Sequence, residues 1–82
     1  MDFGDALALL KRGKKVYRTG WNGVGMWLEL QTPDANSKMS LPYVYIEYPT
    51  NPLHHAYPNG SRCPWAPSQT DMLADDWLVM ED

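Results

Sequence analysis

Residues 49–67 carry Pro49, Pro52, Pro58, Pro64 and Pro67, out of 7 prolines in the whole chain. Each proline removes a backbone donor and locks φ at about −65°, which excludes this stretch from a long helix and from the centre of a sheet. It reads as a long loop, with Asn59-Gly60 offering a minor turn. In a chain of 82 residues, a plain loop of this length is uncommon and signals function or disorder. Tyr57 and Trp65 inside it favour docking onto the rest of the molecule. Regular structure must therefore come from the flanks.

The flank before it supplies a helix and three strands. Over residues 2–13, Phe3, Ala6, Leu7 and Leu10 recur at helical spacing, with Asp2 placed to cap the start and Gly13 to end the helix. Residues 14–19 alternate, with Val16 and Arg18 opposite Lys15, Tyr17 and Thr19. Gly20-Trp21-Asn22-Gly23-Val24-Gly25 is a turn, since Asn-Gly accepts positive φ. Residues 26–31 alternate again and complete a hairpin. Residues 32–40 are a polar loop, and residues 43–48 form a third strand with Val44, Ile46 and Tyr48 opposite Tyr43, Tyr45 and Glu47. After the loop, residues 71–76 suit a short helix with Met72 and Leu73 facing inward, and residues 77–80 a last strand. The expected class is α+β: one N-terminal helix packed on a small antiparallel sheet, with a long Pro-rich loop before a short helix and final strand. Residues 1–82 are expected to form one ligand-binding domain.

The stretch from Pro64 to Trp77 joins that loop to the last strand. Pro64 and Pro67 hold Trp65 in an extended or turn conformation, and Ser68-x-x-Asp71 has capping-box spacing. Trp65 is either a core anchor under the loop or an aromatic plate beside the polar residues Ser68, Gln69, Thr70 and Asp71.

Charge and cysteine content narrow the function. A net charge of −3 argues against broad binding of DNA or RNA polymers. No apolar run approaches the about 20 residues that span a bilayer, and no signal-peptide order is present. Cys63 stands alone, so a reducing cytosol is the simplest compartment. So small a chain is marginal by itself, and with neither disulfide nor metal, self-association is the favoured support. Basic Lys11, Arg12, Lys14, Lys15 and Arg18 are separated in sequence from acidic Asp71, Asp75, Asp76, Glu81 and Asp82. Solvated helix ends explain this segregation most simply. A local anion site, or subunits meeting through opposite charges, is the sharper reading.

Chemistry that breaks bonds finds little support. His54, His55 and Cys63 lack zinc-site spacing. A Cys63–histidine dyad has no helix N-terminus behind the thiol. Asp75 and Asp76 are adjacent and so do not converge on one bond; a solvated helix end accounts for them. Gly20-x-x-Gly23-x-Gly25 is neither a dinucleotide nor a Walker loop. What remains is a pair of loops, Trp21-Asn22 and residues 65–71. Two indoles with nearby amides and hydroxyls suit a nucleobase, with Arg18 or Arg62 available to phosphates.

Gly13-Lys14-Lys15-Val16 through Gly20-Trp21-Asn22-Gly23-x-Gly25-Met26, followed by Pro64-Trp65-x-Pro-Ser-Gln-Thr-Asp71-Met-Leu-Ala-x-Asp76-Trp77, resembles the small phage proteins called Thoeris anti-defence type 2. The helix pattern Phe3-x-x-Ala6-Leu7-x-x-Leu10 also fits, and residues 32–40 and 49–62 are the variable parts. The resemblance implies a non-enzymatic sponge that holds the cyclic ADP-ribose isomer made by Thoeris defence without cleaving it. It implies a homotetramer in the host cytoplasm with sites where subunits meet, and in some relatives a separate site for cyclic oligonucleotides. By match to the motif, Trp21 and Trp65 would stack on the ligand. Asn22 and the polar groups of Ser68, Gln69, Thr70 and Asp71 would bond its ribose and phosphates. No cofactor is implied. A related pattern in an anti-CRISPR protein supplies the alternative, an inhibitor acting through a protein–protein surface.

Overall fold

The structure is a computed structural model that describes residues 1–21, 25–48 and 60–81. Among these, the elements in chain order are α1 (Phe3–Lys11), β1 (Val16–Arg18), β2 (Trp27–Gln31), β3 (Tyr43–Glu47), β4 (Arg62–Pro64), α2 (Gln69–Leu73) and β5 (Trp77–Val79). The class is α+β, as the hydrophobic spacing predicts. Asn22 and the Asn-Gly turn, His54, His55, Tyr57 and the loop prolines Pro49, Pro52 and Pro58 lie outside the described residues.

Helix α1 starts and stops where its sequence dictates. The Asp2 carboxylate accepts from the Asp5 N–H at 2.8 Å, satisfying one donor that the first turn leaves open. At the other end Gly13 adopts φ 85°. The Gly13 N–H then reaches the Leu10 carbonyl, and the Lys14 N–H reaches the Leu9 carbonyl, each at 3.0 Å. That pair of bonds is a Schellman motif, and it needs a left-handed residue at Gly13. The helix buries Ala6 and Leu10 completely and lays Phe3 and Leu7 partly against the same cluster.

The strands form one antiparallel sheet in the order β4-β3-β2-β1-β5. Val16 pairs with Leu28 and Val79, and Leu28 pairs with Ile46, so these side chains share one face. With Ala6, Leu10 and Trp77 from outside that row, Val16, Leu28 and Ile46 make the core under α1. Trp77 is fully buried and anchors the start of the last strand in the core.

The opposite face carries Tyr17, Trp27, Glu29, Tyr43, Tyr45, Glu47 and Arg62. There the Lys15 ammonium sits 4.6 Å from the Trp27 ring, Trp27 meets Tyr45 edge-on at 6.2 Å, and the Arg62 guanidinium lies 5.3 Å from Tyr45. Arg62 also pairs with Glu47 at 2.6 Å. Tyr45 is buried beneath these neighbours and donates its hydroxyl to Glu29. Burial and the Glu29 bond push its phenol up to about 12.

Two expectations change. Part of the proline-rich stretch is a strand: β4 adds to the sheet at its edge, with Tyr48 N–H bonded to Ser61 O and Trp65 N–H to Val44 O. An edge strand needs partners on one side only, which is where the missing N–H of Pro64 is tolerated. On α2, Met72 and Leu73 do not face inward; Leu73 is 82% exposed and Met72 36%. The capping box turns Asp71 toward the sheet, and on so short a helix the next two residues then point away.

Candidate functional site

The candidate site forms where β1, β5 and α2 meet. β5 pairs with β1 with Arg18 opposite Trp77, which places Asp76 beside Thr19 and Gly20 at the strand ends. Antiparallel pairing thus brings residues more than fifty positions apart into contact.

Trp77 is the centre of an aromatic cluster. Trp21 meets it edge-on, with ring centroids 5.5 Å apart and planes at 82°. Trp65 meets it in the same manner at 6.0 Å and 85°. Phe3 of α1 packs on both Trp77 and Trp65, at 5.5 and 6.0 Å. Trp21 and Trp65 are each half-buried, so both belong to the margin of the core and both keep part of the indole open. They are brought together within one chain through Trp77. Edge-to-face contacts of this kind add about 0.5–1.5 kcal/mol each beyond burial.

A polar cluster lies beside the rings. Asp71 Oδ1 accepts from Arg18 Nη1 at 2.7 Å and from Trp21 Nε1 at 3.1 Å. Its Oδ2 accepts from the Ser68 N–H at 3.2 Å, while the Asp71 N–H donates to Ser68 Oγ at 3.1 Å. This is the capping box that the Ser68-x-x-Asp71 spacing predicts. The Asp71 carbonyl accepts from Trp77 Nε1 at 3.1 Å. One aspartate therefore holds two indole N–H groups, one guanidinium and the start of a helix.

Arg18 bridges Asp71 to a second carboxylate. Its Nε donates to Asp76 Oδ1 at 2.8 Å, and the three side chains are only 13%, 13% and 27% exposed for Arg18, Asp71 and Asp76. Asp76 Oδ2 also accepts from the Gly20 N–H at 2.7 Å and from the Thr19 hydroxyl at 3.3 Å. The hydrogen bond from Arg18 is the main cause holding the Asp76 carboxyl below its usual range. For Asp71, burial pushes upward, but the bonds from Trp21, Arg18 and Ser68 together prevail and the carboxyl is lowered. The two carboxylates in turn raise Arg18. The segregated basic and acidic stretches thus meet inside the chain at Arg18, and Asp76 is not the solvated helix end that its sequence position suggests.

Of the sequence-predicted site residues, Trp21, Trp65, Ser68, Asp71 and Arg18 converge on Trp77 and its surroundings. Gln69 and Thr70 are exposed on the first turn of α2, and Asn22 is outside the described residues. Much of the polar chemistry is already engaged: Ser68 Oγ, both Asp71 oxygens and two edges of Arg18 bond one another. Arg18 keeps further donors of its guanidinium fork beyond those two bonds. Asp76 is the residue that sequence reasoning missed, because its role depends on strand register and no local pattern announces it.

Elsewhere, Cys63 is exposed on β4, with Sγ 3.8 Å from the Tyr48 hydroxyl. No group of His, Cys, Asp and Glu able to hold a metal occurs among the described residues. No helix among them is long and apolar enough to cross a membrane.

Comparison with known proteins adds to this geometry. The protein "Thoeris anti-defense 2" of Bacillus phage SP01 is 38% identical over 93 aligned residues, covering 98% of this chain and 94% of the phage protein. The model of the Thoeris anti-defense 2-like domain matches residues 1–80, from the Asp2 cap of α1 through the aromatic centre to the end of β5. With both the family match and the relative spanning nearly the whole chain, this protein belongs to the Thoeris anti-defense 2-like family.

Proposed function

We propose that this protein is a phage anti-defence factor that binds and sequesters a cyclic ADP-ribose isomer, the Thoeris immune messenger, without cleaving it. The anti-Thoeris role follows from family membership over residues 1–80, which is the observation that carries the reading. Supporting the ligand class are two half-buried indoles, Trp21 and Trp65, next to the hydroxyl- and amide-bearing first turn of α2. Base stacking on an aromatic side chain is worth about 1–3 kcal/mol, enough for two plates to dominate affinity. Trp21 and Trp65 stack; Gln69, Thr70 and Asn22 bond ribose or phosphate. Arg18, Ser68 and Asp71 brace the plates and meet the ligand only with the donors they have left over. The protein works as a homo-oligomer, a tetramer, in the cytoplasm of the infected host. The aromatic outer face of the sheet and the exposed Leu73 and Leu41 support self-association. A second site for cyclic oligonucleotides belongs to the same reading, on the ground of family resemblance alone.

A retention assay tests this directly. The protein is mixed with the cyclic ADP-ribose isomer, freed of unbound ligand, denatured, and the released small molecule analysed. Intact ligand is the expected result. A linear product would make the protein a hydrolase, and an empty protein would favour a protein-surface inhibitor of the anti-CRISPR kind. Trp21→Ala and Trp65→Ala are each expected to abolish retention while leaving the oligomer intact by light scattering. Normal retention by both variants would remove the tryptophans from the site.

A further inference from the structure

Trp21 is held from two directions. Its indole N–H is bonded to Asp71, and its backbone follows a turn that closes with the Trp21 N–H on the Arg18 carbonyl at 3.4 Å. Apart from the bonds of Arg18 and Trp21 to Asp71, the side-chain contacts of that turn lead to one group. Asp76 takes the Arg18 Nε, the Thr19 hydroxyl and the Gly20 N–H, filling both of its oxygens. Gly20 has no room for a side chain: an added Cβ would lie 2.7 Å from Asp76 Oδ2 and 3.2 Å from Arg18 Nη2. The φ of Gly20 is not in the left-handed region, so close approach of the carboxylate, and not backbone conformation, is what calls for glycine. The Arg18 bond is part-buried, and the Thr19 and Gly20 bonds to the same carboxylate are exposed. Their convergence on residues 18–20 constrains where the next residue, Trp21, can sit.

We infer that Asp76 is a positioning residue: by gathering Arg18, Thr19 and Gly20 it fixes the Trp21 indole in its binding pose before a ligand arrives. This rests on the reading of Trp21 as a stacking plate. A preset plate removes the ordering cost that a mobile one would add to binding. Removing the carboxylate lowers the fraction of molecules that can bind and leaves the complex, once formed, unchanged. That signature appears in the association rate and not in the dissociation rate.

Two variants disturb the same contact from opposite sides. Asp76→Asn replaces one acceptor oxygen with a donor facing Arg18 or Gly20, and Gly20→Ala pushes the carboxylate away. The first readout uses the ligand-free protein: hydrogen exchange of the Trp21 and Trp77 indole N–H groups, followed in ¹⁵N-labelled samples. Both variants should speed exchange at Trp21 by about tenfold, while Trp77 stays at the wild-type rate. The second is stopped-flow tryptophan fluorescence with a cyclic ADP-ribose isomer. Association should slow by a similar factor of about ten with dissociation unchanged. Wild-type exchange at Trp21 in both variants would overturn the assignment. So would faster exchange at both indoles together, which would make Asp76 a support of the whole fold. Faster dissociation with unchanged association would make Asp76 a ligand contact instead. Failure of the wild-type protein to bind the isomer would remove the functional reading, and the exchange comparison would still decide whether Asp76 holds Trp21.

Discussion

Asp71 shows how one residue can serve a helix, a core and a site together. Its side chain caps α2 through Ser68, receives Arg18 and the Trp21 indole, and its carbonyl receives Trp77. Because its folded carboxyl is lowered from the ordinary 3.8, as is that of Asp76, both groups stabilise the native state when ionised. Above the unfolded value, both states carry the charge and the stabilisation is complete. As pH falls below about 4 the unfolded chain takes up protons first, and the contribution is lost as the folded pKa is passed. The melting temperature is therefore expected to drop as pH is lowered from about 4, and Asp71→Asn to flatten that drop while lowering the melting temperature at pH 7. Thermal melts of both proteins across pH 2–7 check this; an unchanged acid slope would mean that the bonds to the ionised Asp71 contribute nothing.

Short elements in this chain depend on their ends. α2 has a single turn and buries no residue, so propensity and packing offer it little. The reciprocal Ser68–Asp71 bonds are what start it. Ser68→Ala should cost about 1 kcal/mol of unfolding free energy in urea titrations, as loss of an N-cap does elsewhere, with no change in the burial of Trp77. The capping box was legible from spacing alone because it is a local device. The exposure of Met72 and Leu73 was not, since the rotation of a short helix is set by whichever residue is tied to the rest of the molecule, here Asp71 to Arg18.

Across the whole molecule, α1 packs on one face of the sheet and Trp77 closes the end of that layer. Trp77 is fully buried and contacts Phe3, Trp21 and Trp65, so it joins the core to the candidate site. Trp77→Ala should cost about 3–5 kcal/mol, a large share of the about 5–15 kcal/mol that stabilises an ordinary domain. Urea denaturation gives the number; a loss below about 1 kcal/mol would mean that the cluster closes over the gap.

Helical spacing of Phe3, Ala6, Leu7 and Leu10, the Asp2 and Gly13 caps, strand alternation and the Ser68–Asp71 box were all readable in the chain, because each depends on neighbours a few residues apart. The pairing of Arg18 with Asp71 and Asp76 was not. It depends on β5 aligning beside β1 with Arg18 opposite Trp77, and that register is set by which side chains fill the core. The same alignment brings Trp21 to Trp77, while β4, with Trp65 just after it, pairs with β3 at the opposite edge of the sheet, where a proline-bearing segment is tolerated. Local backbone chemistry thus determined the elements; competition for one buried surface decided which distant residues would meet.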